Sequence, residues 1–246
     1  MSLLSLERIS KRYPDGRREL TVLDDISLEV DEGDFVGIWG VRRSGKSTLL
    51  QIAAGKERPD EGAVYFDGDD VTRMSPDRRA RLQRHAGIGL LSVDWCPERN
   101  KPVLEHVALP LLSDGMSLRE ARDPAWRALE RVGIAGCAYM PADRVSHGER
   151  VRVALAQTLV HEPRVLLVDE PAVPLRPSEG VELYDLLRSL GQDSQLAIVI
   201  ASEDIAPIRK ARRMFSIDGG QLRSMDRPGT LVQFPERPHA RQRSQS

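Results

Sequence analysis

The sequence predicts an α/β domain with a mainly parallel sheet, and three observations carry this prediction. The chain has 246 residues, of which 40% are apolar, so it can bury one large core but hardly a second. Helical patterns and strand-like runs alternate in its C-terminal half, as they do where helices flank a parallel sheet. One run, VLLV, is apolar at every position, which is typical of a strand buried on both faces.

The N-terminal third is predicted to form short strands separated by turn-rich segments such as PDGRRE and DEGD. The predicted strands are Leu3–Ile9, Ile26–Val30, Phe35–Trp39 and Gly62–Gly68. Helical periodicity follows from about Val103 to Arg131, with Gly133 as the helix stop. The middle of the chain is therefore predicted to be a mostly helical lobe.

The C-terminal half is predicted to alternate helices and strands. A helix follows Ser146 and is closed by Pro163. The later elements are the strand VLLV, a helix from about Ser178 to Leu190, the strand LAIVIA, a helix from about Ile205 to Arg212 and the strand MFSI. The tail from Pro235 to Ser246 has no apolar pattern and is predicted to be disordered.

Composition argues against several classes of protein. A net charge of -1 and an aromatic content of 4% favour no nucleic-acid partner. Cys96 and Cys137 form no disulfide or metal-binding pattern, which fits a reducing cytoplasm. Since charge appears early at the N-terminus and no apolar run reaches 18 residues, we predict a soluble, cytoplasmic chain without a signal peptide or a membrane span.

A phosphate-binding loop is the strongest signal in the sequence. The strand FVGIWG runs directly into GVRRSGKS, which satisfies the pattern G-x-x-x-x-G-K-[ST] between a strand and a helix. Backbone amides of such a loop surround phosphate oxygens, Lys46 reaches the outer phosphates, and the Ser47 hydroxyl can ligate Mg²⁺. The predicted nucleotide contacts here are Gly40, Val41, Arg42, Arg43, Ser44, Gly45, Lys46, Ser47 and Thr48. The alternative is an ordinary glycine-rich turn that contains a lysine.

The segment VLLVDEP supplies carboxylates at the end of a buried strand. We predict that Asp169 holds Mg²⁺ through water and that Glu170 orients or activates the attacking water. An acidic pair at a strand end can also be a solvated turn or a helix cap, but a preceding phosphate loop favours the functional interpretation.

The motif VSHGERVRVALAQTLV, followed by VLLVDEP, resembles the signature helix and acidic strand of ABC-transporter ATPases. The segment VLEHVALPLL resembles the lipoprotein-release and macrolide-export branch of that family. The resemblance covers about residues 3–224 and implies a P-loop NTPase fold with an N-terminal antiparallel β-subdomain and an inserted helical subdomain. The expected domain is 1–234, with the helical subdomain at about 95–150 and a disordered tail at 235–246.

The same resemblance implies partners and cofactors. ATP and Mg²⁺ are expected between the phosphate loop of one chain and the signature of another, in a homodimer or a heterodimer. Transmembrane permease subunits are expected to hold the chain at the inner face of the membrane.

Three further site residues are implied by the resemblance. Tyr13 matches an aromatic residue that stacks on adenine, although it could equally pack on the sheet. Ser146 and Gly148 match signature residues that approach the γ-phosphate, and Ser146 could also be the N-cap of its helix.

Two departures from the family pattern affect the catalytic switch residues. Val93 replaces a glutamine that touches magnesium, although a one-residue slip would offer Ser92 or Asp94 instead. Glu203 replaces a histidine that contacts the γ-phosphate, so a carboxylate would face a phosphate. The alternative for Glu203 is a solvent-facing charge at the start of a helix.

The remaining departures lie in the signature, the dimer-facing loop and the phosphate loop. His147 replaces a glycine, and Arg176 stands where an aspartate is expected. Arg42 and Arg43 replace small residues, where they could tighten triphosphate binding, strain the loop or simply be solvated.

These departures predict an ATP-binding subunit that binds Mg·ATP and hydrolyses it slowly, with dimer closure as its main output. The alternatives are a fully active transporter ATPase, in which Ser202 or Asp204 compensates for the histidine, and a non-catalytic regulatory or structural subunit.

Overall fold

The computed structural model describes residues 2–16, 18–84, 87–91, 100–173, 175–193 and 195–225. The predictions for Ser92, Val93 and Asp94, the predicted subdomain start at 95 and the predicted tail at 235–246 lie outside these ranges. Within the described ranges, no helix combines the length and the apolar character that a membrane crossing requires.

The described chain forms two sheets and a helical lobe. Its strands are β1 (Leu4–Asp15), β2 (Arg18–Val30), β3 (Phe35–Trp39), β4 (Glu61–Phe66), β5 (Asp69–Asp70), β6 (Ile88–Leu91), β7 (Val165–Asp169), β8 (Ala197–Ser202), β9 (Arg213–Asp218) and β10 (Gln221–Met225). Its helices are α1 (Lys46–Ala53), α2 (Pro76–Arg84), α3 (Val103–Ser113), α4 (Leu118–Arg131), α5 (His147–Leu159), α6 (Pro177–Asp193) and α7 (Ile205–Ile208).

The N-terminal sheet is antiparallel and has the order β2-β1-β4-β5. Strands β1 and β2 extend further than the sequence predicted, because the segment predicted to be a separating turn continues the ladder. Tyr13 pairs with Leu20, and Asp15 pairs with Arg18. The turn predicted at PDGRRE is therefore shorter than this segment, whose outer residues belong to the two strands. The long hairpin brings Leu20 towards the candidate site.

The larger sheet has the order β10-β9-β3-β8-β7-β6. Neighbouring strands are parallel from β9 to β6, and only β10 runs antiparallel to its neighbour β9. Along β7, Leu166 and Val168 face one core while Val165 and Leu167 face the other. The apolar run VLLV is thus a central strand with both faces buried, and the predicted α/β class with an antiparallel N-terminal sheet is confirmed.

Helices α3, α4 and α5 pack against one another and form the helical lobe. Helix α4 begins at a capping box, in which Ser117 and Glu120 satisfy each other's backbone amides, and α5 begins at a second one, formed by Ser146 and Glu149. The chain leaves α4 at Gly133, whose φ of 74° lies in the left-handed region that glycine tolerates. The predicted helix stop is therefore confirmed.

Helix α7 is shorter than the predicted segment from Ile205 to Arg212. It ends at Ile208, and the Arg212 amide already donates to the Phe35 carbonyl at 2.9 Å. The chain turns here to enter β9 beside β3, and this sheet hydrogen bond is incompatible with a continuing helix.

Candidate functional site

The candidate site lies where three neighbouring parallel strands end. Strands β3, β8 and β7 are adjacent, so the residues that follow them meet at one edge of the sheet, which is the usual ligand edge of such sheets. A cleft of 710 Å³ is found there. Its lining includes the predicted residues Arg42, Arg43, Ser44, Gly45, Lys46, Ser47, Thr48, Asp169, Glu170 and Glu203.

The loop from β3 to α1 fits its surroundings only with glycine at two positions. A Cβ on Gly40 would lie 2.5 Å from Ser44 Oγ and 2.8 Å from the Ile217 carbonyl oxygen. Gly45 has a φ of +103°, and its Cβ would lie 2.8 Å from the Val22 carbonyl oxygen. The loop backbone therefore packs too closely against its surroundings for any side chain at these positions.

The ammonium group of Lys46 is held at the inner end of the cleft. Only 5% of the Lys46 side chain is exposed. Its Nζ donates to the carbonyl oxygens of Gly40 at 2.8 Å and Val41 at 3.1 Å, and it lies 3.1 Å from Glu170 Oε1. These contacts fix a positive charge beside the amides of the loop, as a phosphate site requires.

Glu170 occupies an unusual backbone position directly after β7. Its φ is 44°, a left-handed conformation that is uncommon for a residue with a side chain. Its Oε2 accepts a hydrogen bond of 3.2 Å from the Glu203 amide. Burial raises the pKa of Glu170, while the Glu203 amide and Lys46 oppose this effect. A half-buried carboxylate with a raised pKa suits proton transfer to or from a water molecule.

Apart from Glu170 Oε1, which lies 3.1 Å from Lys46 Nζ, two buried polar atoms of the site have no hydrogen-bond partner among the described residues: Ser44 Oγ and Asp169 Oδ1. A buried polar atom is normally satisfied, so both are suited to ligand contacts. Ser47 is exposed on the cleft wall. The described residues contain no group of three His, Cys, Asp or Glu side chains placed to hold a metal. Ser47 and Asp169 would thus share a Mg²⁺ ion with phosphate and water oxygens, the usual arrangement for this ion.

Glu203 follows β8, between the phosphate loop and Glu170, and lines the same cleft. Its backbone is fixed on both sides, because its amide donates to Glu170 and its carbonyl oxygen accepts from Trp39 Nε1 at 3.0 Å. The N-cap of α7 is the next residue, Asp204, whose side chain accepts from the Ala206 amide. Glu203 is exposed and lies directly before this N-cap, so the alternative of a solvent-facing charge at the start of a helix stays open beside the predicted contact with phosphate.

Arg42 and Arg43 are exposed at the mouth of the cleft. Arg43 has a φ of 64°, so the loop places a side chain where glycine would be less strained. Neither arginine takes part in an ion pair within the described part of the chain. Both guanidinium groups remain available to an anion that enters from outside.

Tyr13 is not among the residues that line the cleft. Its hydroxyl donates to Glu57 Oε1 at 2.6 Å, and Lys11 Nζ lies 5.4 Å from the centre of its ring. Burial and the bond to Glu57 raise the pKa of Tyr13, while a hydrogen bond with Thr48 opposes them. Tyr13 thus lies beside a residue of the cleft with its ring already in contact with a cation, and its stacking on adenine stays a prediction.

Sequence reasoning missed apolar residues in the cleft wall. Leu20, Val22 and Val173 line it, and 54% of Leu20 and 75% of Val173 are exposed. Leu20 is the cross-strand partner of Tyr13. The available signal was the apolar pair Leu20 and Val22 at alternate positions, which would have extended β2 towards the loop.

Comparison with known protein families identifies the family of this chain. The model of the ABC transporter family matches residues 23–173, which is more than half of the chain and includes the phosphate loop and both carboxylates after β7. The chain belongs to the ABC transporter family.

Relatives within the ABC transporter family place the chain in the predicted branch. The lipoprotein-releasing system ATP-binding protein LolD of Pseudomonas syringae pv. tomato is 34% identical over 90% of this chain and 97% of its own length. The macrolide export ATP-binding/permease protein MacB of Syntrophobacter fumaroxidans is 33% identical over 90% of this chain but only 31% of its own length. The predicted resemblance to an ABC ATP-binding protein of the lipoprotein-release and macrolide-export branch is confirmed.

Solved structures of ABC cassettes share the fold. The dimeric ATP-binding cassette MJ0796, in a post-hydrolysis state bound to ADP and Pi, superposes with a TM-score of 0.81 at 29% identity and covers 92% of this chain and all of its own. CbiO1 from Clostridium perfringens, part of the transporter complex CbiONQ, has a TM-score of 0.79 at 28% identity, over 90% of this chain and 87% of its own.

The residues predicted to form the signature, Ser146, His147 and Gly148, are not among those that line the cleft. Ser146 and His147 are exposed at the start of α5, and Ser146 Oγ accepts from the Glu149 amide at 3.3 Å. A Cβ on Gly148 would lie 3.4 Å from Glu179 Oε1, and Glu179 also forms an ion pair of 2.7 Å with Arg176. Ser146 is therefore an N-cap within its own chain, and its contact with nucleotide stays a prediction.

Proposed function

We propose that this chain is the ATP-binding subunit of a transporter of the lipoprotein-release or macrolide-export type. It binds Mg·ATP between two cassettes, couples the resulting closure to transmembrane permease subunits, and hydrolyses ATP slowly. The dimer, the membrane partners and the position at the inner face of the membrane are inferred from the named relatives and the family resemblance.

The cleft supports a specific assignment of nucleotide contacts. The amides from Val41 to Ser47 would surround the outer phosphates, and Lys46 would neutralise them. The unpartnered Ser44 Oγ points to a further phosphate contact. Asp169 and Ser47 would hold Mg²⁺, whose charge would stabilise the phosphate oxygens during the reaction.

Glu170 would orient or deprotonate the attacking water. In the described structure its carboxylate lies 3.1 Å from the Lys46 ammonium group, so Lys46 must exchange this partner for phosphate before Glu170 is free to act. Its raised pKa makes it a better proton acceptor than an ordinary glutamate at the same pH.

The observation that carries slow hydrolysis is the position of Glu203. The residue lines the cleft and its amide is bonded to the carboxylate of Glu170. A carboxylate there opposes the negative charge of the γ-phosphate and offers no donor to the transition state. The loss of one such donor lowers a rate by about 10²- to 10³-fold, and charge repulsion adds to this loss.

The proposed compensating residues are engaged elsewhere. Ser202 is buried, and its Oγ lies 3.3 Å from the Tyr184 hydroxyl and accepts from the Asp204 amide at 3.1 Å. The Asp204 side chain caps α7. These contacts favour slow hydrolysis over the alternative of a fully active ATPase.

Phosphate release at saturating Mg·ATP tests the proposal. We expect slow turnover in the wild type, none in Lys46→Ala, and an increase of about tenfold or more in Glu203→His, which restores a donor. Glu203→Gln is the matched control, because it removes the charge without adding an imidazole. An unchanged or lower rate in Glu203→His would contradict the assignment.

Equilibrium binding of Mg·ATP, measured beside phosphate release, distinguishes the proposed ATPase from a non-catalytic subunit. The proposed function requires saturable binding of Mg·ATP that Lys46→Ala weakens. A wild-type protein that binds Mg·ATP but releases no phosphate, even after Glu203→His, would favour a regulatory or structural subunit.

A further inference from the structure

A second charged cavity lies at the opposite edge of the larger sheet from the phosphate loop. It has a volume of 1130 Å³ and is formed at the beginning of β3 and β9 and at the ends of α6 and β10. We call it the basic cavity, because its lining includes five cationic residues and no described acidic one: Arg188, Arg209, Lys210, Arg212 and Arg213.

The positive charge of the basic cavity is only partly balanced. Arg188 and Lys210 share a single carboxylate, that of Asp185, at 2.9 and 3.4 Å. Arg213 is paired with Asp34 at 3.0 Å. In a chain whose net charge is -1, this local excess of cations in a concave surface is a marked concentration of positive potential.

Arg209 and Arg212 are the cations available to a ligand. Both are exposed, and neither forms an ion pair with a described residue. They lie on the short turn between α7 and β9, whose backbone is fixed by the bond from the Arg212 amide to the Phe35 carbonyl. The two guanidinium groups are therefore carried on an anchored turn rather than on a long loop.

The basic cavity is separate from the nucleotide cleft. It includes Phe35, the first residue of β3, whereas the phosphate loop follows Trp39, the last. A strand of this length spans about 13 Å. The two linings have no residue in common.

We propose that the basic cavity binds the phosphate group of a phosphorylated ligand. Guanidinium groups match phosphate oxygens through paired hydrogen bonds, and Arg209 and Arg212, which form no ion pair with a described residue, can supply them. Phe35, Met214 and Phe215 add apolar surface beside the cations, which suits a ligand with a carbon skeleton next to its phosphate.

Calorimetric titration of the full-length protein with pyrophosphate tests the proposal. The phosphate loop is a second site for this probe, so Lys46→Ala serves as the background that isolates the basic cavity. We expect saturable binding that weakens about tenfold or more in Arg209→Gln/Arg212→Gln. Lys46→Ala can impair folding, so Arg209→Gln/Arg212→Gln is also measured in the wild-type background. There, the double substitution should remove one of two pyrophosphate sites.

The matched control is Arg58→Gln/Arg127→Gln, which removes the same charge from two exposed arginines elsewhere. It should leave pyrophosphate binding unchanged. Equal weakening in both double variants would overturn the proposal, since it would indicate only a general effect of net charge. Tighter binding of a hexaglutamate peptide than of pyrophosphate would also overturn it.

A second experiment distinguishes a lipid headgroup from a soluble molecule as the carrier of the phosphate group. Cosedimentation with phosphatidylglycerol vesicles, against phosphatidylcholine vesicles, measures binding to a lipid headgroup. Loss of vesicle binding in Arg209→Gln/Arg212→Gln supports a lipid source, and loss of pyrophosphate binding alone supports a soluble one. If the substitution affects neither, the basic cavity is not a phosphate site.

Discussion

The cleft and the N-terminus of α5 hold the residues that we propose as the two halves of a nucleotide site, yet they are built differently. In the cleft, Lys46 is buried and its ammonium group is fully engaged by neighbouring oxygens. At α5, Ser146 and His147 are exposed, and the start of the helix is held by a capping box. The cleft is thus preorganised within one chain, whereas the α5 terminus needs another surface to complete a site. This difference supports our proposal of a nucleotide bound between two chains.

The largest effect is expected from Gly45→Ala, which should distort the phosphate loop and weaken Mg·ATP binding. The new Cβ would lie 2.8 Å from the Val22 carbonyl oxygen at a φ of +103°, so the loop must shift. We expect Mg·ATP affinity to fall by about 100-fold, as small misplacements of a positioned site can. Equilibrium binding measures this change.

Gly115→Ala is the control for backbone strain. Gly115 has a φ of +93°, but no atom lies within 4 Å of the position that a Cβ would occupy. We expect a loss of about 1 kcal/mol in the free energy of unfolding and unchanged nucleotide affinity. Equal affinities for Gly45→Ala and the wild type would show that the loop does not need its close packing.

An intermediate effect separates the two roles of Ser146. Ser146→Ala should lower the free energy of unfolding by about 1 kcal/mol, because it removes an N-cap. Ser117→Ala removes the equivalent cap of α4 and should cost about the same. Only Ser146→Ala should also slow phosphate release, by about tenfold. If the two variants hydrolyse ATP equally fast, Ser146 is a helix cap and nothing more.

The smallest effect concerns Arg176, whose ion pair with Glu179 lies at the surface. The Arg176 side chain is 79% exposed, so Arg176→Ala should change the free energy of unfolding by less than about 0.5 kcal/mol. Urea unfolding measures this, with Arg188→Ala as a control at another i,i+3 pair. A loss above about 1 kcal/mol would mean that Arg176 organises the surface near α5 within a single chain.

The sequence predicted the parts of the molecule whose signals are local. The phosphate loop follows its strand as expected, and VLLV is the buried strand β7. Helix α2 was missed because PDRRARLQR offers too few apolar residues to show a periodic face. The hairpin of β9 and β10 was also missed, although Gly219 and Gly220, both with positive φ, are a recognised signal for a two-residue turn.

The contacts of the site could be predicted only in part, because they depend on strand order. Lys46 and Glu170 follow strands that are far apart in the chain and are separated in the sheet by β8. The local sequence does not reveal that β8, and with it Glu203, lies between these two strands. The stacking role of Tyr13 was transferred by resemblance, and the bond of its hydroxyl to Glu57 depends on a residue 44 positions away.

The ion pair between Lys46 and Glu170 has a consequence for the order of events in a catalytic cycle. The donor hydrogens of the Lys46 ammonium group are shared among Gly40, Val41 and Glu170. In the proposed cycle, an arriving phosphate would compete with the Glu170 carboxylate for the same cation, so binding of the substrate would also release the base. Glu170 would then stay bound to Lys46 until ATP is present in the cleft.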